Sequence, residues 1–127
     1  MSDHTKNFQP FYFSLEPNGK IAVVRFKHPR LSEEDNVEQL GFELMHIVDQ
    51  LGYNQIVLSM KGVEWITSSI IGKLIHLHRH LQRINGELAL CELAPGVVDV
   101  METSRLDTYF CILPGVEESI SQFETKK

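Results

Sequence analysis

The segment Ile56-Val57-Leu58-Ser59-Met60 is an almost continuous apolar run of strand length, and it suits a strand covered on both faces. Such strands belong to parallel sheets with helices above and below. Lys61 to Ile66 follows as a short crossing segment. Thr67, Ser68 and Ser69 then stand just ahead of a 3.6-period stripe of Ile70, Leu74, Leu77, Leu81 and Ile84. Small hydroxyl side chains in that place cap a helix by accepting from its unpaired N–H groups. Residues 56–74 therefore predict a strand, a loop and a helix start. A helix start at the carboxyl end of a parallel strand is where anions and ligands tend to bind in α/β sheets.

The rest of the chain reads as support for that corner. Residues 1–8 are polar and are expected to be loose, and 9–127 to form one domain. Phe11 to Leu15 predicts a first strand, Glu16-Pro17-Asn18-Gly19 a turn and Ile21 to Phe26 a second strand, together an antiparallel hairpin that Pro29 ends. Ser32, Glu33, Glu34 and Asp35 are candidate N-caps, with Asp35 and Glu38 at capping-box spacing. Val37, Leu40, Leu44, Ile47, Val48 and Leu51 recur at helical spacing up to Gly52. The second helix, from about Ser69 to Ile84, stops at Asn85-Gly86. Leu88 to Cys91 is a short strand, Pro95 opens a third helix to about Ser104, Tyr109 to Ile112 is an edge strand, and Val116, Ile120 and Phe123 face inward from a last helix. The order β-β-α-β-α-β-α-β-α predicts an α/β fold whose mixed sheet is an antiparallel hairpin followed by parallel strands, packed with about four helices.

Composition excludes several functions. A net charge of −5 argues against nucleic acid and against an anionic membrane surface. No apolar run approaches bilayer length, and Met1 to Lys6 lacks the hydrophobic segment of a signal peptide, so the expectation is a cytoplasmic protein. Cys91 and Cys111 lie in apolar runs and are expected to be buried thiols rather than a disulfide.

Candidate chemistry is sparse. His76 and His80 are four apart on one helical face, a spacing that suits a metal, yet no third ligand is evident, and a solvated basic face is the expectation. With Lys73 and Arg83 that face could help dock an acidic partner surface. Ser59 has no general base at recognisable spacing, and neither common Gly-rich phosphate loop occurs. The acids Glu33, Glu34, Asp35 and Glu38 read as helix-start acids rather than a carboxylate pair. Neither an enzyme nor a cofactor is expected. Thr67, Ser68 and Ser69 remain, as plain caps or as a phosphorylation site. The two are compatible, and a phosphate there would gain from the helix dipole while adding a charge of about −1.5 to −2.

Three segments resemble the STAS-domain anti-sigma factor antagonists. They are Ile56 to Gly72, Gly86 to Pro95 and Val100 to Phe110, and the similarity runs from about Gly19 to Phe123. Family members typically carry Asp-Ser-Ser-Gly or Asp-Ser-Thr-Gly where this chain has Thr67-Ser68-Ser69-Ile70. The resemblance implies partner switching: the antagonist binds an anti-sigma factor that is also a serine kinase, is switched off by phosphorylation, and is restored by a serine phosphatase. By position the acceptor is Ser68, with Thr67 and Ser69 as neighbours, and the contact surface includes Glu33, Thr67, Ser68, Ser69, Ile70, Lys73 and His76. Scaffold-type STAS proteins of stress-sensing assemblies, never phosphorylated, are the alternative.

Overall fold

The computed structural model describes residues 8–27, 30–31 and 34–125. Strands β1 (Phe13–Asn18) and β2 (Ile21–Phe26) form the antiparallel hairpin, closed by a two-residue turn with Gly19 at φ +59°. The expected four-residue turn is shorter than predicted because Glu16, Pro17 and Asn18 stay in the ladder. Pro17 is tolerated there because β1 lies at the edge of the sheet.

Next come β3 (Arg30–Leu31), α1 (Glu34–Asp49), β4 (Gln55–Ser59), β5 (Trp65–Ile66), α2 (Ser68–Arg83), β6 (Glu87–Cys91), α3 (Pro95–Thr103), β7 (Cys111–Leu113) and α4 (Val116–Thr125). The main sheet runs β1-β2-β4-β6-β7, with every pair after the hairpin parallel. Its parallel strands advance in one direction, so right-handed crossovers put α1, α2 and α3 on the same face. There Ala22, Val24, Ile56, Leu58, Leu88 and Leu90 meet the apolar stripes of α1 and α2. The alternate residues Val23, Val57, Ala89 and Cys91 point the other way and are covered by Phe123 of α4. The central β4 is thus buried on both sides, which is why its sequence shows no polar alternation.

Several local expectations need correction. β3 and β5 were not foreseen, and they pair in parallel with Arg30 opposite Trp65 and Leu31 opposite Ile66. Tyr109 and Phe110 precede the last strand instead of forming it. Asp35 lies inside α1 rather than ahead of it, and Glu38 reaches Lys73 of α2 instead of a capping partner. Ser32 and Glu33 lie outside the described residues, as do residues 1–7. Phe8, at the end of the stretch expected to be loose, stacks on His46 with ring centroids 4.4 Å apart. Glu43 of α1 is buried and accepts from the backbone N–H groups of Phe11 (2.8 Å) and Tyr12 (3.2 Å) and from Gln39 (3.1 Å), which fastens the approach to β1 onto α1. Cys91 and Cys111 are both thiols, but only Cys91 is buried as expected, and burial pushes its pKa up to about 11; Cys111, on the edge strand β7, is half-buried.

Candidate functional site

The short β3–β5 pair is what builds the site. β3 leads into α1 and β5 leads into α2, so the pairing ties the starts of both helices together at the carboxyl end of the parallel strands. Ile66 faces the core while its neighbour Trp65 is 49% exposed, a large aromatic three residues before Ser68. The sequence reading missed Trp65 because it assigned residues 61–66 to a loop. Alternation of Trp65 and Ile66 is the available signal, too brief to register as a period.

At the start of α2 the three hydroxyls divide their tasks. Thr67 is the N-cap, with extended backbone (φ −98°, ψ 168°), and its Oγ1 accepts from the Ile70 N–H across a long 3.5 Å. Ser68 and Ser69 occupy the first helical positions and are both exposed. The first turn holds no acidic residue, so no acid of the helix itself offsets the positive end of its dipole. Ile70, expected among the contact residues, is 2% exposed and belongs to the core.

From Ser69 an open cleft continues between α1 and α2, lined by Val37 and Glu38 on one side and Gly72, Lys73 and His76 on the other. Lys73 Nζ meets Glu38 Oε1 at 2.8 Å, and its stem lies over Gly41, where a Cβ would fall 2.9 Å from Lys73 Cδ. Exposed Phe42 carries the cleft further along α1. One turn from the far end, His80 Nε2 meets Asp49 Oδ1 at 2.8 Å. His76 is exposed at the rim of the same cleft. His78 turns away from both, half-buried edge-on against Tyr109 and Phe110 (centroids 4.9 and 5.5 Å), and desolvation lowers its pKa below the usual histidine value. Among the described residues no group of three or more His, Cys, Asp or Glu is placed to hold a metal ion.

Ser59, considered as a nucleophile, is 1% exposed and donates to Glu92 Oε1 at 2.6 Å. That contact joins the carboxyl ends of β4 and β6, where Ser59 lies opposite Cys91, and it leaves no room for a substrate. The arrangement as a whole offers a presented hydroxyl, an exposed aromatic and a cleft, and no side chain among the described residues bonds to the hydroxyl as a general base would.

The comparisons with known proteins fit this picture. The STAS domain model matches residues 12–121. BtrV of Bordetella bronchiseptica, named as an anti-sigma factor antagonist, is 33% identical over 90 residues, 71% of this chain and 77% of its own length. An anti-sigma-factor antagonist (STAS) domain protein from Planctomyces limnophilus superposes with a TM-score of 0.77 at 21% identity, over 87% of this chain and 96% of its own. The Bacillus cell fate determinant SpoIIAA in its phosphorylated form superposes with a TM-score of 0.67 at 22% identity, over 87% of this chain and 98% of its own. No helix among the described residues is long and apolar enough to cross a membrane.

Proposed function

The chain belongs to the STAS domain family, and on that premise we propose that it is an anti-sigma factor antagonist acting in a partner-switching pathway. It binds an anti-sigma factor that is also a serine kinase, and phosphorylation at Ser68 releases it; a serine phosphatase returns it to the binding form. It acts in the cytoplasm, as a binding protein rather than an enzyme. The observation that carries this is the division of tasks at the start of α2. Because Thr67 supplies the cap, the helix does not need the Ser68 hydroxyl, which stands exposed where a kinase can reach it. A phosphate there meets the positive end of the helix and leaves the fold intact while changing the charge of the surface. Thr67, Ser69, Lys73 and His76 form the surrounding contact surface; Glu33, expected to share in it, lies outside the described residues. Ile70, being buried, contributes no side chain to it.

Likeness to BtrV supports the antagonist role, and the solved phosphorylated form of SpoIIAA supports the phosphate. The test is incubation of the purified chain with ATP and each histidine-kinase-like serine kinase encoded in the source genome, followed by peptide mass spectrometry. One phosphate on Ser68 is expected. Phosphate on no residue, or only elsewhere, overturns the switch. The second reading, a scaffold that is never phosphorylated, draws on Thr67 and Ile70 standing where the family pattern has Asp and Gly. It predicts a stable assembly by light scattering together with an unmodified Ser68.

A further inference from the structure

The outward face of α2 has a composition unlike the rest of the molecule. Between Ser68 and Arg83 there is no Asp or Glu, on a chain whose net charge is −5. Apart from the half-buried His78, the basic side chains on this helix fall into two rows. Lys73 and His80 lean toward α1, where Glu38 and Asp49 each meet one of them at 2.8 Å. The second row, Gly72, His76, Arg79 and Arg83, recurs at the spacing of one helical face and is exposed throughout, with Gly72 and His76 at the rim of the α1–α2 cleft and the two arginines beyond it. His76, Arg79 and Arg83 have no acidic partner within the described residues. Gly72 has open space where a side chain would be, so another backbone can approach closely there. The strip begins at Ser68 and Ser69 and runs about 22 Å along the helix axis.

We propose that this strip is a docking surface for an acidic protein segment, with partner carboxylates seated on Arg79 and Arg83 and partner backbone laid over Gly72. Charge complementarity selects the occupant. Glu38 and Asp49 of α1 are taken up by the inner row and leave the two arginines of the outer row unpaired among the described residues, and arginine presents a planar fork that matches a carboxylate in two parallel hydrogen bonds. Two guanidiniums and one imidazole are too few to hold a nucleic-acid backbone against the repulsion of a net charge of −5.

The proposal rests on the antagonist reading in one respect only, that the partner lands on the end of α2 that carries Ser68. It then explains how a phosphate there would act. The position one turn beyond Ser68 is Gly72, and Lys73 is held by Glu38, so no cation on α2 stands free beside a phosphate at Ser68. The added charge would face the partner's own carboxylates across the contact and drive the two apart.

The test is an amide chemical-shift titration of the full ¹⁵N-labelled chain with poly-L-glutamate at low salt, repeated at high salt and with single-stranded DNA. Shifts are expected at Gly72, His76, Arg79 and Arg83, fading at high salt, with affinity about tenfold lower in the Arg79→Glu/Arg83→Glu variant. Arg79→Gln/Arg83→Gln serves if the reversed charges disturb folding, and Lys61→Glu, exposed but off the strip, should change nothing. Shifts that map elsewhere, an unchanged affinity in both double variants, or tighter binding of the DNA overturn the proposal. Neither kinase nor ATP is present, so a silent α2 here and an unmodified Ser68 in the kinase assay are separate failures.

Discussion

The two ends of α2 solve the same problem in opposite ways. Every helix leaves backbone groups unpaired at both ends, and something must satisfy them. At the carboxyl end the following backbone turns back to do so, with the Leu81 and Gln82 carbonyls both taken up. Asn85 takes φ +60°, its N–H donates to the Gln82 carbonyl at 3.2 Å, and the Gly86 N–H donates to the Leu81 carbonyl at 2.7 Å, the pairing of a Schellman motif. The chain then passes straight into β6, with the Glu87 N–H bonded to the Asn54 carbonyl at 2.8 Å. At the amino end there is one long cap from Thr67, no acidic side chain, and two serines left facing solvent. One end is built to stay shut. The other keeps backbone donors and a hydroxyl available to another molecule, and the difference separates what α2 does for stability from what it does for recognition.

The largest effect is expected at the closed end. A Cβ at Gly86 would collide with the Asn54 carbonyl oxygen, which the Glu87 N–H holds in place, and would press on the Leu81 carbonyl and side chain. Gly86→Ala should cost about 2–3 kcal/mol and lower the melting temperature by about 10 °C, read by thermal and urea denaturation. Partner affinity per folded molecule should be unchanged. A melting temperature within a degree or two of the parent would mean that the carboxyl end is as adaptable as the amino end, and the contrast would fail.

The open end should respond the other way round. Ser68→Asp places a carboxylate at the first helical position, where the dipole favours it, so stability should move by no more than about 0.5 kcal/mol. Affinity for the anti-sigma partner should fall about tenfold or more, equivalent to about 1.4 kcal/mol, measured by titration calorimetry. Undiminished affinity, with folding intact, would show that the exposed hydroxyls are simply surface.

This asymmetry was partly legible in the sequence. Thr67-Ser68-Ser69 ahead of an apolar stripe and Asn85-Gly86 behind it mark both ends of α2, because caps are local chemistry. The doubly covered β4 was legible as well, through its lack of polar alternation. The β3–β5 pair was not, since two-residue strands carry no period, and with it went the exposure of Trp65 and the tie between the helix starts. Glu43 was equally silent. An acid on an amphipathic helix reads as solvated, and only the fold brings the Phe11 and Tyr12 N–H groups to it. Tyr109 and Phe110 have the composition of a strand, but they pack around the half-buried His78, so the last strand begins later. Ile70 illustrates a conflict visible beforehand. Its place in the apolar stripe argued for burial and its place beside Ser68 for contact, and packing decided for burial.

The smallest predicted effect is the one that probes how far the amino end falls short of full satisfaction. The Thr67 Oγ1 contact with the Ile70 N–H is long, and no acid in the first turn offsets the dipole. Thr67→Asp puts an acceptor oxygen one bond further out, closer to the same donor, and a negative charge at the positive end, so stability should rise by about 0.5 kcal/mol, or about 2 °C in melting temperature. The gain should shrink as pH falls through the carboxylate range, because protonation removes the charge that the dipole favours. It should also shrink when Ser68 carries a phosphate, since two adjacent anions then compete for one set of N–H groups. A Thr67→Asp protein no more stable than the parent would mean that the amino end was already satisfied as it stands. The contrast between the ends of α2 would then be one of exposure alone.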